Sequence, residues 1–214
     1  MTTAKTKTRH LDEGVLLGSF ANEALAVCPK CGGPATVTSE SRYAVPFMPF
    51  ASRVCCLRCS FHKDESESSW FGPAKGIAKE RCPHCGHKWL QGKYTCRSSG
   101  RGARKWTGIT CDECQKSSMV PIVWAPDRIG KPTDPAFGLS LWLQSPCCGD
   151  ILWAYNATHL RALRDYVAAS LRERTGQHWS MFARLPKWMS AHKNRDAVLA
   201  CIDRLEKQLV SAGS

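Results

Sequence analysis

Four pairs of cysteines, each with the spacing C-x2-C, constrain this chain more than any other feature. The pairs begin at Cys28, Cys56, Cys82 and Cys111. The first two pairs are separated by 24 residues and the last two by 25, so one unit is duplicated along the chain. This repeat fixes the architecture of the region before any helix or strand is assigned.

The spacing predicts two tetrahedral zinc sites. Two thiolates three positions apart on a tight turn point the same way, at about 2.3 Å from one ion. Pro29 and Pro83 favour that turn, and Gly32 and Gly86 supply the positive φ after it. Four thiolates leave no open position for water, so both ions are expected to be structural. The predicted ligands are Cys28, Cys31, Cys56, Cys59, Cys82, Cys85, Cys111 and Cys114.

Five other cysteines need separate interpretation, of which Cys96, in a Gly/Ser/Arg loop, is expected to be a thiol that binds no metal. Cys55 precedes Cys56 and is an alternative ligand, but a C-x3-C turn is less usual, so Cys56 is preferred. Cys201 falls on an apolar helix face and is predicted to be core. Cys147 and Cys148 form a possible third metal site, although adjacent cysteines rarely chelate one zinc ion together. A tight β-turn that carries two buried thiols is the preferred interpretation of this pair.

Composition and motifs exclude several classes of protein. The chain has 214 residues, of which 43% are hydrophobic, so it is expected to be globular. It shows neither a signal peptide nor an apolar run long enough to span a membrane, which predicts a cytoplasmic, reducing location. The common protease, P-loop, hydrolase and deaminase motifs are missing. An HNH-type nuclease needs an order of histidines that His159, His178 and His192 do not follow, so a non-enzymatic role is expected.

Periodicity predicts strands first and helices last. Strands are expected at 120–124, 139–143 and 151–155, the last two as a hairpin. An amphipathic helix is expected from 156 to near 176, a short apolar helix at 181–188 and a final helix after Asn194. The predicted fold is a small metal-stabilised α+β fold, with tandem four-cysteine zinc ribbons, a β-hairpin and a C-terminal helical module. Its units are a tail (1–27), first ribbon (28–60), linker (61–81), second ribbon (82–124), Pro-rich loop and hairpin (125–155) and helical module (156–214).

Positive charge points to nucleic acid as a partner. The formal net charge is +12, and because each four-cysteine zinc site carries −2, two sites lower it to +8. The excess collects in the loop between the two cysteine pairs of the second ribbon, with Tyr94 and Trp106 at the loop's ends. Arginine, lysine and flanking aromatic rings suit phosphate contacts and base stacking; the alternative is a solvated hairpin tip. The basic residues of this tip are Lys93, Arg97, Arg101, Arg104 and Lys105.

The C-terminal region adds a second basic segment and an alternative function. Its cations are Arg161, Arg164, Arg172, Arg174 and Lys187. The alternative is a protein-interaction module, either an adaptor or a neutralising partner, that docks through the aromatic tip of the first ribbon (42–50) and a tryptophan-rich region. The tryptophans in question are Trp142, Trp153, Trp179 and Trp188, which are otherwise expected in the core.

The motifs also resemble a known family. The order of CPKCG, RVCCLRC, RCPHCGHKW, CDEC and LWLQSPCCGDILWAYN, followed by RLPKWM and KNRDAVL, is similar to bacterial proteins that contain TFIIB-type zinc ribbons. The resemblance runs from Cys28 to the last helix. It implies that the eight paired cysteines are ligands, and that the Pro-Cys-Cys-Gly segment and the C-terminal helices belong to the same unit. No established activity comes with it, so function has to be argued from the site.

Overall fold

A computed structural model of the protein describes residues 8–40, 50–64, 70–86, 88–97, 104–127, 132–173 and 178–212. The strands in these ranges are β1 (Arg9–Leu11), β2 (Glu23–Val27), β3 (Pro34–Glu40), β4 (Phe50–Cys56), β5 (His62–Asp64), β6 (Ala74–Arg81), β7 (Trp89–Cys96), β8 (Trp106–Thr110), β9 (Ser117–Pro126), β10 (Leu143–Cys147), β11 (Asp150–Ala154) and β12 (Leu171–Glu173). The helices are α1 (Ala157–Ala168), α2 (Lys187–Ser190) and α3 (Arg195–Ala212), and short 3-10 turns lie at Leu17–Phe20, Phe182–Arg184 and His192–Asn194. None of the described helices is long and apolar enough to cross a membrane.

The first sheet joins β2, β3, β4 and β5 in that order, with every neighbouring pair antiparallel. Its strands alternate between inward and outward residues, as expected for a sheet with one face against a core. The fully buried inward residues are Ala24, Ala26, Ala35, Val37 and Val54. They pack in one large cluster with side chains from the β10–β11 hairpin, α1 and α3. The first sheet and the C-terminal helices therefore share a single hydrophobic core.

The second sheet has the order β7-β6-β9-β8 and is also antiparallel. Its inward residues form a separate small cluster of Ala78, Cys82, Leu90, Cys111, Val120 and Ile122. Among the described residues, this cluster shares no member with the large core. The two duplicated units therefore have different surroundings. The first packs into the large core together with the C-terminal helices, which we call the body of the protein, and the second folds around its own small core.

Two adjacent chain segments connect the second sheet to the body. The Asp127 amide donates to the Pro73 carbonyl oxygen at 2.9 Å, and the Asp127 carboxylate pairs with Lys75 at 3.0 Å. Nearby, Gly72 lies directly against Gly138, where a Cβ on Gly72 would be 2.7 Å from the Gly138 oxygen. Both glycines are therefore required for the close approach of the two backbones.

The predicted tail (1–27) and linker (61–81) both contain strands. In the first segment, β1 pairs in parallel with β12, and β2 forms one edge of the first sheet. In the second segment, β5 closes the other edge of that sheet, and β6 is a central strand of the second sheet. The inward residues of β6 are Ala74, Gly76 and Ala78. These residues are too small to produce the apolar alternation by which strands are recognised.

Helix α1 is shorter than its apolar stripe predicts. The stripe extends through Leu171, but this residue lies on β12 and its side chain is 47% exposed. Arg172 explains the ending, because its guanidinium donates to the carbonyl oxygens of Tyr166 and Val167 in the last helical turn. Terminal carbonyls of a helix lack amide partners and need such a donor. The predicted helix end near residue 176 is therefore wrong.

The predicted hairpin is correct in its second strand and shifted in its first. The strand β10 pairs antiparallel with β11. The predicted first strand, 139–143, lies instead along β2, where the Val27 amide donates to the Ser140 oxygen at 2.8 Å. Residues 144–146, which carry most of β10, read Gln-Ser-Pro and lack the apolar alternation of a typical strand.

The last helix agrees with its prediction. The stripe residues Val198, Ile202 and Leu205 are buried on one side of α3, and Cys201 is buried beside them. This side packs against α1 and β10. A period of 3.6 with a wide apolar face was sufficient to identify this element.

A buried carboxylate organises the segment before β10. Asp134 is fully buried, and its Oδ1 accepts from the amides of Ala136 (2.9 Å) and Phe137 (2.7 Å). Its Oδ2 accepts from the Leu139 amide at 2.6 Å. These bonds hold the segment that inserts the fully buried Phe137 into the large core.

We expect Asp134→Ala to lower the free energy of unfolding by about 3 kcal/mol or more, because three inward amides lose their acceptor. Urea denaturation of the full chain measures the change. Asp165→Ala, which removes an exposed carboxylate from α1, serves as the control and should shift stability by about 0.5 kcal/mol at most. Similar losses for the two variants would contradict the role of Asp134.

Candidate metal centres and a basic sheet face

The first metal site brings together two turns from the first sheet. The sulfurs of Cys28, Cys31, Cys56 and Cys59 all lie within 4.8 Å of one another. The Cys28 and Cys59 sulfurs are 3.8 Å apart, and those of Cys31 and Cys56 are 3.5 Å apart. Four sulfurs at about 2.3 Å from one zinc ion would be about 3.8 Å apart. The measured separations therefore fit a tetrahedral zinc site.

The second metal site repeats this arrangement in the second sheet. The Cys82 and Cys114 sulfurs are 3.7 Å apart, as are those of Cys85 and Cys111. All four sulfurs lie within 4.8 Å of one another. Both predicted ligand sets are thus assembled, and the protein has two sites for structural zinc. Four thiolates complete the coordination of each ion, so neither site offers a position for a substrate.

Left-handed residues close three of the four ligand turns. Gly32 has φ +70° and its amide donates to the Cys28 oxygen at 3.0 Å, while Gly86 has φ +68° and donates to the Cys82 oxygen at 2.9 Å. Gln115 occupies the equivalent place in the third turn with φ 57°. Each left-handed residue follows the second cysteine of its turn, and there it closes the turn and leads the chain away from it.

Backbone amides stabilise a thiolate in the first site. The Cys56 sulfur accepts from the amides of Arg58 and Cys59, each at 3.3 Å. Burial raises the pKa of Cys56, but these donors and the neighbouring thiols lower it to about 6. The Phe61 amide lowers the pKa of Cys59, yet burial and hydrogen bonds to the other thiols raise it to about 12. Before metal binds, the thiols therefore retain protons that zinc must displace, so acidification weakens zinc binding.

The second site likewise combines one cysteine of lowered pKa with one of raised pKa. Burial raises the pKa of Cys82, but the amides of Cys85 and His84 help lower it to about 6. The Lys116 amide lowers the pKa of Cys114, while burial and the neighbouring thiols raise it to about 11. One preformed thiolate per site gives the metal an initial ligand, and the remaining thiols lose their protons as the ion binds.

The other predicted cysteine assignments are partly correct. Cys55 is exposed and, as the strand neighbour of Cys56, points to the opposite face, so Cys56 and not Cys55 belongs to the group of four close sulfurs. Cys148 (φ 53°) and Gly149 (φ 83°) form the predicted tight turn, but only Cys147 is buried and Cys148 is exposed. In the described part of the chain, neither cysteine belongs to a group of three or more close ligands. The structure therefore assembles no third site from them there.

The predicted basic tip is described in part. Arg101 lies outside the described residues, whereas Arg97, Arg104 and Lys105 are exposed at the ends of β7 and β8. Tyr94 faces inward, since it packs against the small core and its hydroxyl lies 3.0 Å from that of Thr107. Trp106 is 50% exposed. Of the two aromatic residues predicted to flank the tip, Trp106 alone faces solvent.

A larger feature is the solvent-facing side of the second sheet, which we call the outer face. Strand register places Lys93, Ile77 and Val123 in one row across it, and Trp106 beside Pro121 at the β8 edge. Trp89 lies at the β7 edge and is 49% exposed. The outer face carries the cations Lys75, Lys79, Arg81 and Lys93 and the exposed apolar side chains Ile77, Trp89, Trp106, Met119 and Val123.

The outer face has no compensating negative charge along its strands. None of its outward strand positions holds an acidic residue. Lys75 pairs with Asp127 at the edge of the sheet, but no ion pair among the described residues involves Lys79, Arg81 or Lys93. The Lys79 ammonium and the Arg81 guanidinium each lie 5.0 Å from the centre of the Trp89 ring. The result is a basic surface with two aromatic edges.

Sequence reasoning missed the outer face because its residues come from four strands. Basic residues do recur with period two at 75, 79 and 81, and this spacing is the signal that would have found the β6 contribution. The signal was overlooked because the segment was assigned to a linker.

The helical arginines are mostly committed to internal contacts. Arg164 forms salt bridges with Asp203 and Glu206 on α3, and Arg172 caps α1 as described above. Arg174 lies outside the described residues. Arg161 and Lys187 remain exposed, so two cations of this predicted set face solvent.

Most tryptophans of the alternative protein interface are also used in internal packing. Trp142, Trp153 and Trp188 pack against the large core, whereas Trp179 is 70% exposed. Residues 42–49 of the predicted aromatic tip lie outside the described residues, as does the side chain of Phe50. Comparison of the chain with protein-family models, curated proteins and solved structures finds no match.

We expect Cys85→Ser to reduce the zinc content from two ions per chain to one. The second sheet should then lose its structure while the first sheet and α3 keep theirs, because the two hydrophobic clusters are separate. Elemental analysis measures the zinc, and amide hydrogen exchange locates the loss. Cys55→Ser is the matched control and should retain both ions. Two ions in Cys85→Ser, or loss of protection throughout the body, would contradict the prediction.

Gly86→Ala tests the conformation of a ligand turn. No atom lies within 4 Å of the position of the added Cβ, so the cost comes from the positive φ alone, about 1 kcal/mol. The affinity of the second site for zinc should fall about fivefold, as measured by competition with a chelator. Gly108→Ala, where the new Cβ meets only the Met119 sulfur at 3.8 Å, should leave that affinity unchanged. Equal effects of the two substitutions would refute this account.

Proposed function

We propose that this is a tandem zinc-ribbon protein that binds nucleic acid through the outer face of the second ribbon. The observation that carries the proposal is a sheet surface with exposed aromatic rings, no acidic residue at its outward positions and three cations, Lys79, Arg81 and Lys93, that form no ion pair among the described residues. Phosphate contacts supply most of the affinity of such surfaces. The zinc ions would act as structural supports, in keeping with the resemblance of the cysteine motifs to TFIIB-type ribbons.

The charge distribution favours the second ribbon over the helices. Lys79, Arg81 and Lys93 lie on one rigid sheet, and the exposed cations at the ends of β7 and β8 extend the positive surface beyond it. Arg164 and Arg172, in contrast, already neutralise carboxylates or cap a helix. A phosphate backbone would therefore find uncompensated charge on the outer face more readily than on the helical region.

A second candidate function, recognition of an acidic protein, has one specific observation in its favour. Ile77, Met119 and Val123 are large exposed apolar side chains on the same face as the cations. Clusters of this kind also occur in protein interfaces. The two candidates differ in salt dependence, since phosphate contacts release counterions and give a steep, linear decrease of log affinity with log salt.

The proposal predicts the effect of the triple variant Lys79→Ala/Arg81→Ala/Lys93→Ala on binding to labelled oligonucleotides. Loss of three phosphate contacts should reduce the slope of log affinity against log salt by about 2 to 3. Fluorescence anisotropy of the full chain at several salt concentrations measures both affinity and slope. Far-UV circular dichroism and a zinc content of two ions per chain would establish that the variant is folded.

The matched control is Arg161→Ala/Lys187→Ala/Lys193→Ala, which removes the same charge from exposed positions of the helical region. It should retain most of the affinity. Equal losses in the two triple variants would show that net charge alone matters. Absence of binding to any DNA or RNA at low salt would overturn the proposal and leave the acidic protein as the better candidate.

A further inference from the structure

The architecture of the outer face limits which form of nucleic acid it can bind. The face belongs to a sheet of four strands, with β6 and β9 between β7 and β8 in the strand order. The major groove of B-form DNA is about 12 Å wide and admits a helix or a two-stranded ribbon, and the minor groove is narrower. A four-stranded sheet is too large for either groove, so a duplex would meet this face along its phosphates.

The exposed aromatic rings of the outer face favour a single strand over a duplex as the ligand. Trp89 and Trp106 lie at opposite edges of the outer face and are each about half exposed. The bases of a duplex are stacked on one another, so their flat faces are not accessible to these rings. The bases of a single strand are accessible, and stacking of one base on an aromatic side chain is a main source of affinity in single-strand binding.

The groups between and beside the two rings suit a sugar-phosphate backbone. Lys79 and Arg81 lie on β6, between the edge strands, and Lys93 lies on β7 four residues from Trp89. Beside Trp106, Gly108 leaves the β8 surface open, since a Cβ there would have only the Met119 sulfur within 4 Å, at 3.8 Å. A strand that crosses the sheet meets an aromatic ring at each edge and positive charge between them. Lys79 and Arg81 now lie over the Trp89 ring, and both side chains are long enough to move to a phosphate.

We infer that the outer face binds single-stranded nucleic acid, with one base stacked on Trp106, another on Trp89, the intervening phosphates held by Lys79 and Arg81, and a flanking phosphate held by Lys93. This inference rests on the proposed function and narrows its substrate to unpaired strands. DNA and RNA present the same stacking surfaces and phosphates, and the experiment separates them by using both.

The test compares three labelled probes of one mixed sequence of about 15 nucleotides: single-stranded DNA, single-stranded RNA and the DNA annealed to its complement. The 214-residue chain should bind at least one single strand about tenfold or more tightly than the duplex. Trp106→Ala should weaken single-strand binding about 5- to 100-fold, and leave duplex binding and the salt slope nearly unchanged, because indole carries no charge. Trp106→Phe should recover most of the lost affinity.

Trp179→Ala is the matched control, because it removes a 70% exposed tryptophan from another part of the chain. It should bind single strands like the wild type. The inference fails if the duplex binds as tightly as both single strands, or if Trp106→Ala behaves like Trp179→Ala. If the cation variant still loses affinity in that case, the proposed function stands and only the narrowing to single strands is lost. If no probe binds, both fail.

Discussion

Coordination of zinc by four thiolates is the interaction on which the second sheet depends. Its small hydrophobic cluster contains six buried residues, and two of them, Cys82 and Cys111, are zinc ligands. A cluster of this size buries too little apolar surface to offset the entropy of ordering four strands. The free energy of metal binding therefore supplies most of the folding free energy of this unit. The outer face therefore keeps its shape only while the ion is held, although no ligand cysteine lies on that face.

The two copies of the cysteine motif have acquired different surroundings, and the difference points to where function lies. The first sheet packs into the large core, and Arg53 on its outward side pairs with Asp64 at 2.8 Å. Its neighbours there, Thr36 and Thr38, are small and polar. The outward side of the second sheet has tryptophans and uncompensated cations at corresponding positions. A solvated surface needs none of these features, whereas a surface that binds a polyanion needs both.

The sequence predicted those features that depend on neighbouring residues and missed those that depend on distant ones. Metal ligands were predictable because a C-x2-C turn fixes its own geometry, and α3 was predictable because its apolar stripe has a clear period. The end of α1 was not, because it depends on Arg172 folding back onto the helix. The outer face was not, because pairing of four strands brings Trp89 and Trp106 to one surface. The basic tip was predicted as a binding site because many cations lie close together in its sequence. A high local density of charge does not show whether those cations are held on a rigid surface.

The proposed function would couple zinc and nucleic acid through the second sheet, even though the two would bind at different places. A ligand that binds only the folded form stabilises that form by mass action, and this holds for the ion and for the strand alike. Each would therefore raise the apparent affinity of the other by the same factor, as linkage requires. The first zinc site would take no part in this coupling, because its sheet belongs to a separate hydrophobic core. Under the proposed function, the first copy of the duplicated motif stabilises the large core, and the second makes a binding surface conditional on zinc.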